Sequence, residues 1–166
     1  MARSDSAIAV NPKLLNDKFT TVKLLAENSK TWIKGQPCIL TSGTVTPLTG
    51  TGSVAVYGVF AEDQTSSTST TSVWVHKLEA GALLEVYVQT NGTTSTVGVA
   101  NIGTGYGLEM GAGSGGTLAA VGYLDLGTAN GQFFVQRLSV DYEPERNAAA
   151  DDPGKCIVKY GTAAVS

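Results

Sequence analysis

Apolar and polar positions alternate with a period of two along much of this chain. The clearest case is residues 83–99, where Leu84, Val86 and Val88 alternate with Glu85, Tyr87 and Gln89. Successive side chains of a strand point to opposite faces, so this run predicts a half-buried strand. Asn91-Gly92 follows, the pair that suits a two-residue type I′ turn, and Thr93 to Val99 returns as the partner strand. The same grammar recurs elsewhere. Cys38-Ile39-Leu40, Thr44 to Leu48, Val54 to Phe60, Val73 to Lys77 and Lys155 to Tyr160 are short apolar or β-branched runs bounded by turn residues. Gly58, inside its run, marks a bulge or a close backbone approach. A second Asn-Gly pair, Asn130-Gly131, joins the run 121–126 to the run 132–142.

The start of the chain reads differently. Residues 1–10 are small and polar, end in Ile8-Ala9-Val10, and read as an extended arm. Asn11-Pro12 offers a helix start, with Asn as cap and Pro at the first position. Leu15, Phe19, Val22 and Leu25 fall at helical spacing, while Thr20, Thr21 and Val22 are β-branched. The balance predicts a short helical turn near 12–18 and a strand over 20–26. Gln64 to Ser72 is almost wholly Ser and Thr and reads as a loop or hairpin tip. Glu143, Glu145, Arg146, Asp151 and Asp152 make the one charged stretch, an exposed loop. In all, about eight to ten short strands result, with turn signals about every eight to twelve residues. No helical pattern separates them, which excludes a parallel α/β sheet. The expected fold is all-β: a β-sandwich or β-barrel of short antiparallel strands over 20–166, with residues 1–19 as an N-terminal arm.

Composition sharpens this picture. About a third of the residues are Gly, Thr or Ser, only 15% are charged, and there is one His. Few ions would have to shed water on contact with another protein, so the surface favours oligomerisation. The net charge of −3 argues against nucleic acid, which needs a basic face. No apolar stretch approaches the roughly 20 residues of a membrane span. Met1-Ala2-Arg3-Ser4-Asp5 opens no apolar signal segment, so synthesis in a cytoplasm is expected. Cys38 and Cys156 are far apart, and two buried free thiols are expected. No metal spacing repeats, and neither a metal nor a cofactor is expected.

Motifs with chemistry in them fail on context. Gly111-Ala112-Gly113-Ser114-Gly115-Gly116 satisfies GxGxxG, but no strong strand precedes it and Gly122 weakens the helix that should follow. Thr117 stands where a phosphate loop would have Lys. His76 shares a strand face with Trp74, and a general base there would need Ser72, Asp63 or Glu79 brought close. Asp63, Glu85 and Glu109 allow many carboxylate pairs, none privileged. Trp32, Trp74, Tyr57, Tyr87 and Tyr106 would suit sugar stacking, but such aromatics are more often core or interface anchors. Asn91-Gly92-Thr93 is a glycosylation sequon that the turn already explains. Gly103-Thr104-Gly105-Tyr106-Gly107 reads as a glycine-rich turn with an aromatic tip that packs on a neighbour.

Three runs carry a family likeness. They are Gly35-Gln36-Pro37-Cys38-Ile39-Leu40-Thr41-Ser42-Gly43, then Tyr57-Gly58-Val59-Phe60-Ala61-Glu62-Asp63, then Leu78-Glu79-Ala80-Gly81-Ala82-Leu83-Leu84-Glu85-Val86. Over residues 34–100 the chain resembles the small head decoration, or cement, proteins of tailed bacteriophages. It departs from them in its Gly-rich segment at 103–116. The resemblance implies a β module that trimerises on the outer capsid face and clamps neighbouring coat subunits. It brings no catalytic residues, and it places the protein on the capsid exterior with the major capsid protein and its own copies as partners. Many copies on a closed shell turn modest contacts into high avidity. Ile8, Val10, Leu14, Leu15 and Phe19 are the candidate apolar grip of the arm, and Trp32, Trp74 and Tyr106 the other candidate interface residues. The rival expectations are a carbohydrate-binding or adhesin module of a phage fibre and another small virion structural protein. An enzyme is not expected.

Overall fold

A computed structural model describes residues 12–48, 56–90, 93–94, 97–110, 122–138 and 155–161. The strands are β1 (Lys13–Leu14), β2 (Phe19–Ala26), β3 (Pro37–Thr41), β4 (Thr44–Pro47), β5 (Gly58–Phe60) and β6 (Ser72–Leu78). They continue as β7 (Leu83–Thr90), β8 (Thr93–Thr94), β9 (Gly105–Met110), β10 (Gly122–Ala129), β11 (Phe133–Leu138) and β12 (Lys155–Tyr160). The fold is all-β, and it resolves into two closed rings.

Ring one is built from the seven-stranded sheet. Its pairings return to their start: β7 to β10, β10 to β9, β9 to β11, β11 to β12, and β12 back to β7. The two short strands lengthen it along β7. β1 pairs at Leu14↔Leu84, and β8 at Thr90↔Thr93. Alternation turns Leu84, Val86, Val88, Leu108, Leu124, Phe133, Val135, Cys156 and Val158 inward to one core. A ring this narrow is filled by its own side chains.

Ring two is the closed barrel β2-β4-β3-β5-β6. Its longest ladder runs from Phe19↔Leu78 to Leu25↔Ser72. Val22, Leu24, Ala26, Val73 and Val75 point inward and meet Trp32, Cys38, Val45 and Phe60. The Trp32 and Phe60 rings stack 4.2 Å apart, and the indole Nε1 donates to the Glu62 carbonyl at 3.0 Å. Leu48, Val56 and Leu78 leave this ring to join the core of ring one. The two rings are therefore tied by shared apolar burial, not by a linker alone.

The structure corrects several sequence expectations. Two ladders, β2–β4 and β7–β10, are parallel, so the strands are not all antiparallel. Residues 12–18 form no helical turn. Leu14 gains more by packing against the core of ring one, and Asn16 replaces helical hydrogen bonding. Its Oδ1 accepts from the Leu83 amide at 3.0 Å, and its Nδ2 donates to the Gly81 carbonyl at 3.1 Å. Residues 13–19 of the expected arm thus lie on the domain itself, and β2 begins at Phe19. The run 103–107 is no packing tip, because Gly105 starts β9 and Tyr106 turns into the core.

Asn130-Gly131 joins strands that are not neighbours, because β9 lies between β10 and β11. The chain crosses over the end of β9 there. A Cβ on Gly131 would overlap the Tyr106 carbonyl, so only glycine permits the crossing. The Ser/Thr run is not merely a tip either. Ser67 is buried, and its hydroxyl donates to the Glu27 carbonyl at 2.5 Å.

Candidate docking and binding surfaces

Three places on the rings bear on function. The first is the outer wall of ring two, where β2 lies against β6. Phe19, Thr21, Lys23 and Leu25 share this face with His76, Trp74 and Ser72, their register setting Thr21 opposite His76 and Lys23 opposite Trp74. Trp74 is 44% exposed and Leu25 48%. The Lys23 ammonium lies 5.5 Å from the Trp74 ring centre. Trp74 is fixed from behind, since its amide donates to Glu62 Oε1 at 3.0 Å and its carbonyl accepts from the Ala61 amide at 3.0 Å.

His76 completes this wall. Its Nδ1 lies 3.0 Å from the Thr21 hydroxyl, and its ring tilts against Phe19 at 4.6 Å. Partial burial, and then the nearby Lys34 charge, hold its pKa below the ordinary imidazole value. It is therefore neutral at physiological pH. The partners a general base would need stand elsewhere. Ser72 is four residues away along the strand, about 13 Å. Asp63 accepts from the Lys34 amide at 2.7 Å, and Glu79 accepts from the Thr20 hydroxyl.

The second place is a 3-10 turn beside ring one, Val99–Asn101. Val99 is 72% exposed and Ile102 45%. The turn is braced from three sides. Asn101 Oδ1 accepts from the Gly98 amide at 2.9 Å, and its Nδ2 donates to the Tyr106 hydroxyl at 2.9 Å. The Gly103 amide donates to the Val135 carbonyl at 2.8 Å. Two apolar side chains are thus held out to solvent on a stiff support.

The third place is the outer wall of ring one across β9, β10, β7 and β12, where a row of side chains is buried. Glu109, Tyr123, Tyr87 and Lys155 stand in register across four adjacent strands. All four are buried, Glu109 and Tyr123 completely. The Lys155 ammonium meets Glu85 Oε1 at 2.9 Å and lies 5.8 Å from the Tyr87 ring centre. Asp125 accepts from the Gly127 amide at 2.9 Å and the Thr128 hydroxyl at 2.5 Å. Burial, and then Tyr87, push the Tyr123 phenol above its ordinary range. Among the described residues, no three His, Cys, Asp or Glu side chains are grouped to hold a metal.

The expected interface residues separate accordingly. Trp74 and Leu15 are exposed. Leu14 is half-buried against the core of ring one, and Phe19 is half-buried beside His76. Trp32 is a core residue of ring two and has no surface to offer. Tyr106 is buried too, and acts on the surface only through its hydroxyl under the Asn101 turn. Ile8 and Val10 lie outside the described residues, as do the GxGxxG run and the charged stretch 143–152.

Sequence reasoning passed over Val99 and Ile102. The sequence pattern extends the returning strand to Val99, but the described pairing stops at Thr94 and Val99 opens the 3-10 turn instead. Ile102 falls in no predicted element. Cys38 and Cys156 sit in different cores and are both free. Burial pushes each thiol up to about 12. No protein-family model matches the chain, and a search of curated proteins found no match.

Proposed function

We propose that this chain is a structural virion protein, a capsid decoration protein that binds the outer face of the major capsid protein shell as a homotrimer and stabilises it. The observation that carries the reading is the braced turn, with Val99 and Ile102 held out to solvent beside ring one. An apolar pair on a stiff support docks with little ordering cost. Repeated over many copies on a shell, such a contact becomes effectively permanent. Ring closure serves the same role. Closed sheets leave few free strand edges, so crowded copies do not pair edge to edge. The low charge of the chain and the likeness of residues 34–100 to head decoration proteins support the reading further.

The test is made on particles. Cryo-electron microscopy of purified tailed-phage heads carrying this protein is expected to place it outside the shell, in trimers, with Val99 and Ile102 against coat subunits. Val99→Asp with Ile102→Asp is expected to weaken binding about tenfold or more without unfolding the protein. Heads that lack the protein, or a double variant that binds as the parent does, would overturn the reading. A clean monomer in sedimentation velocity at micromolar concentration would remove the trimer.

A further inference from the structure

We infer that the Trp74 face of ring two is a binding site for an acidic saccharide, a sugar chain that carries carboxylates. This goes beyond the docking reading and does not rest on it, because a different surface is involved.

Stacking comes first. A sugar ring presents an apolar face of C–H groups, and it needs a flat, polarisable surface already in place. Trp74 is 44% exposed, and its backbone is tied to Glu62 and to Ala61, so the strand that carries the indole is already fixed. An indole has only two side-chain torsions, so little freedom is lost when a ligand covers it. Hydroxyl recognition comes second. Ser72 and His76 lie two residues to either side of Trp74, about 7 Å along the strand. Thr21 stands opposite His76 and holds its Nδ1. A ring seated on the indole therefore has donors and acceptors at both ends.

Charge comes third. Lys23 reaches over Trp74 at 5.5 Å, and Lys34 is near enough to oppose protonation of His76. Glu62 and Asp63 lie off this face, on the segment after β5, where one oxygen of each accepts a backbone amide, from Trp74 and from Lys34. The cross-strand face itself, Thr21, Lys23 and Leu25 against His76, Trp74 and Ser72, carries one ammonium and no carboxylate, the complement of an acidic sugar. A protein partner fits less well. Leu25 is the one other strongly exposed large apolar side chain of this face, and a protein interface needs a broader apolar centre.

The experiment uses the full chain and an array of uronate-bearing, sialate-bearing and neutral oligosaccharides, followed by fluorescence titration and saturation-transfer NMR. Trp32 is buried against Phe60, so a ligand-dependent change in emission reports Trp74. Saturable binding of acidic members is expected, with neutral counterparts weaker. Trp74→Ala is expected to weaken it about tenfold while the protein still unfolds cooperatively a few degrees lower. Lys23→Glu, a surface change, is expected to weaken it also, and decides the matter should Trp74→Ala fail to fold. Three results would overturn the inference. They are no saturable binding at millimolar ligand, equal binding by poly-glutamate, which would mark an acidic peptide face, or a Trp74→Ala variant that binds like the parent.

Discussion

The two rings are built alike and finished differently. Each closes five strands around an apolar core. Ring one's outer wall has one buried cross-strand row over β9, β10, β7 and β12, which carries a carboxylate, two phenols and an ammonium. The β2–β6 wall of ring two is open, with an indole and an ammonium facing solvent. Two lysines make the contrast plain. Lys155 and Lys23 both lie over an aromatic ring, at 5.8 and 5.5 Å. One is buried and paired with Glu85, and the other stands on an exposed strand. Similar local geometry does different work: the first holds a covered wall together, and the second is free to meet a partner.

The largest expected effects come from emptying the cores. Phe133→Ala in ring one and Trp32→Ala in ring two should each cost about 3–5 kcal/mol in urea denaturation. Hydrogen exchange separates the rings. Trp32→Ala is expected to lower protection in β2 and β6 first, whereas Phe133→Ala lowers it throughout, because ring two lends Leu48, Val56 and Leu78 to the core of ring one. Identical exchange patterns would merge the two rings into one unit.

Next comes the lysine pair. Lys155→Met should cost about 3 kcal/mol, because it removes a charged partner from a mostly buried setting. Lys23→Met should stay within about 0.5 kcal/mol. Equal costs would erase the distinction between the two walls.

Alkaline pH probes both interiors together. Each thiol has an ordinary value of 9.0 and is pushed to about 12 in the folded protein. A group whose folded pKa is raised gives its full stabilisation below the unfolded value and loses it as the pH rises. Thermal stability should therefore fall as the pH is raised from 9 toward 12. Tyr123 and Tyr160, also pushed up by burial, act in the same direction. Replacing Cys38 and Cys156 by Val should flatten the slope without abolishing it. Iodoacetamide should label neither thiol until the chain unfolds. Trp74 is half exposed, so Trp74→Ala is expected to cost about 1 kcal/mol, well below the core substitutions, in spite of its effect on binding.

Strand content was legible because alternation is local. Leu84 to Gln89 states its own two faces, and β2 was found from Thr20, Thr21 and Val22 despite competing helical spacing. Closure was not legible, because it depends on which strands meet. Nothing local in Asn130-Gly131 says that the chain must cross over β9. The site was half legible. Trp74 and His76 were placed on one face by spacing alone, and the register brings Lys23 and Thr21 to them. Trp32 looked equivalent to Trp74 because both are tryptophans in polar surroundings. Only the fold assigns one to the core and the other to the surface.

In the proposed decoration role, the braced turn of ring one seats the protein on the head while the β2–β6 wall of ring two stays open. Hydroxyl-radical footprinting of free and head-bound protein separates the two surfaces most directly. Val99 and Ile102 are expected to lose reactivity on the particle, while Trp74 keeps it. A bound protein whose Trp74 is protected while Val99 and Ile102 react as before would contradict the account.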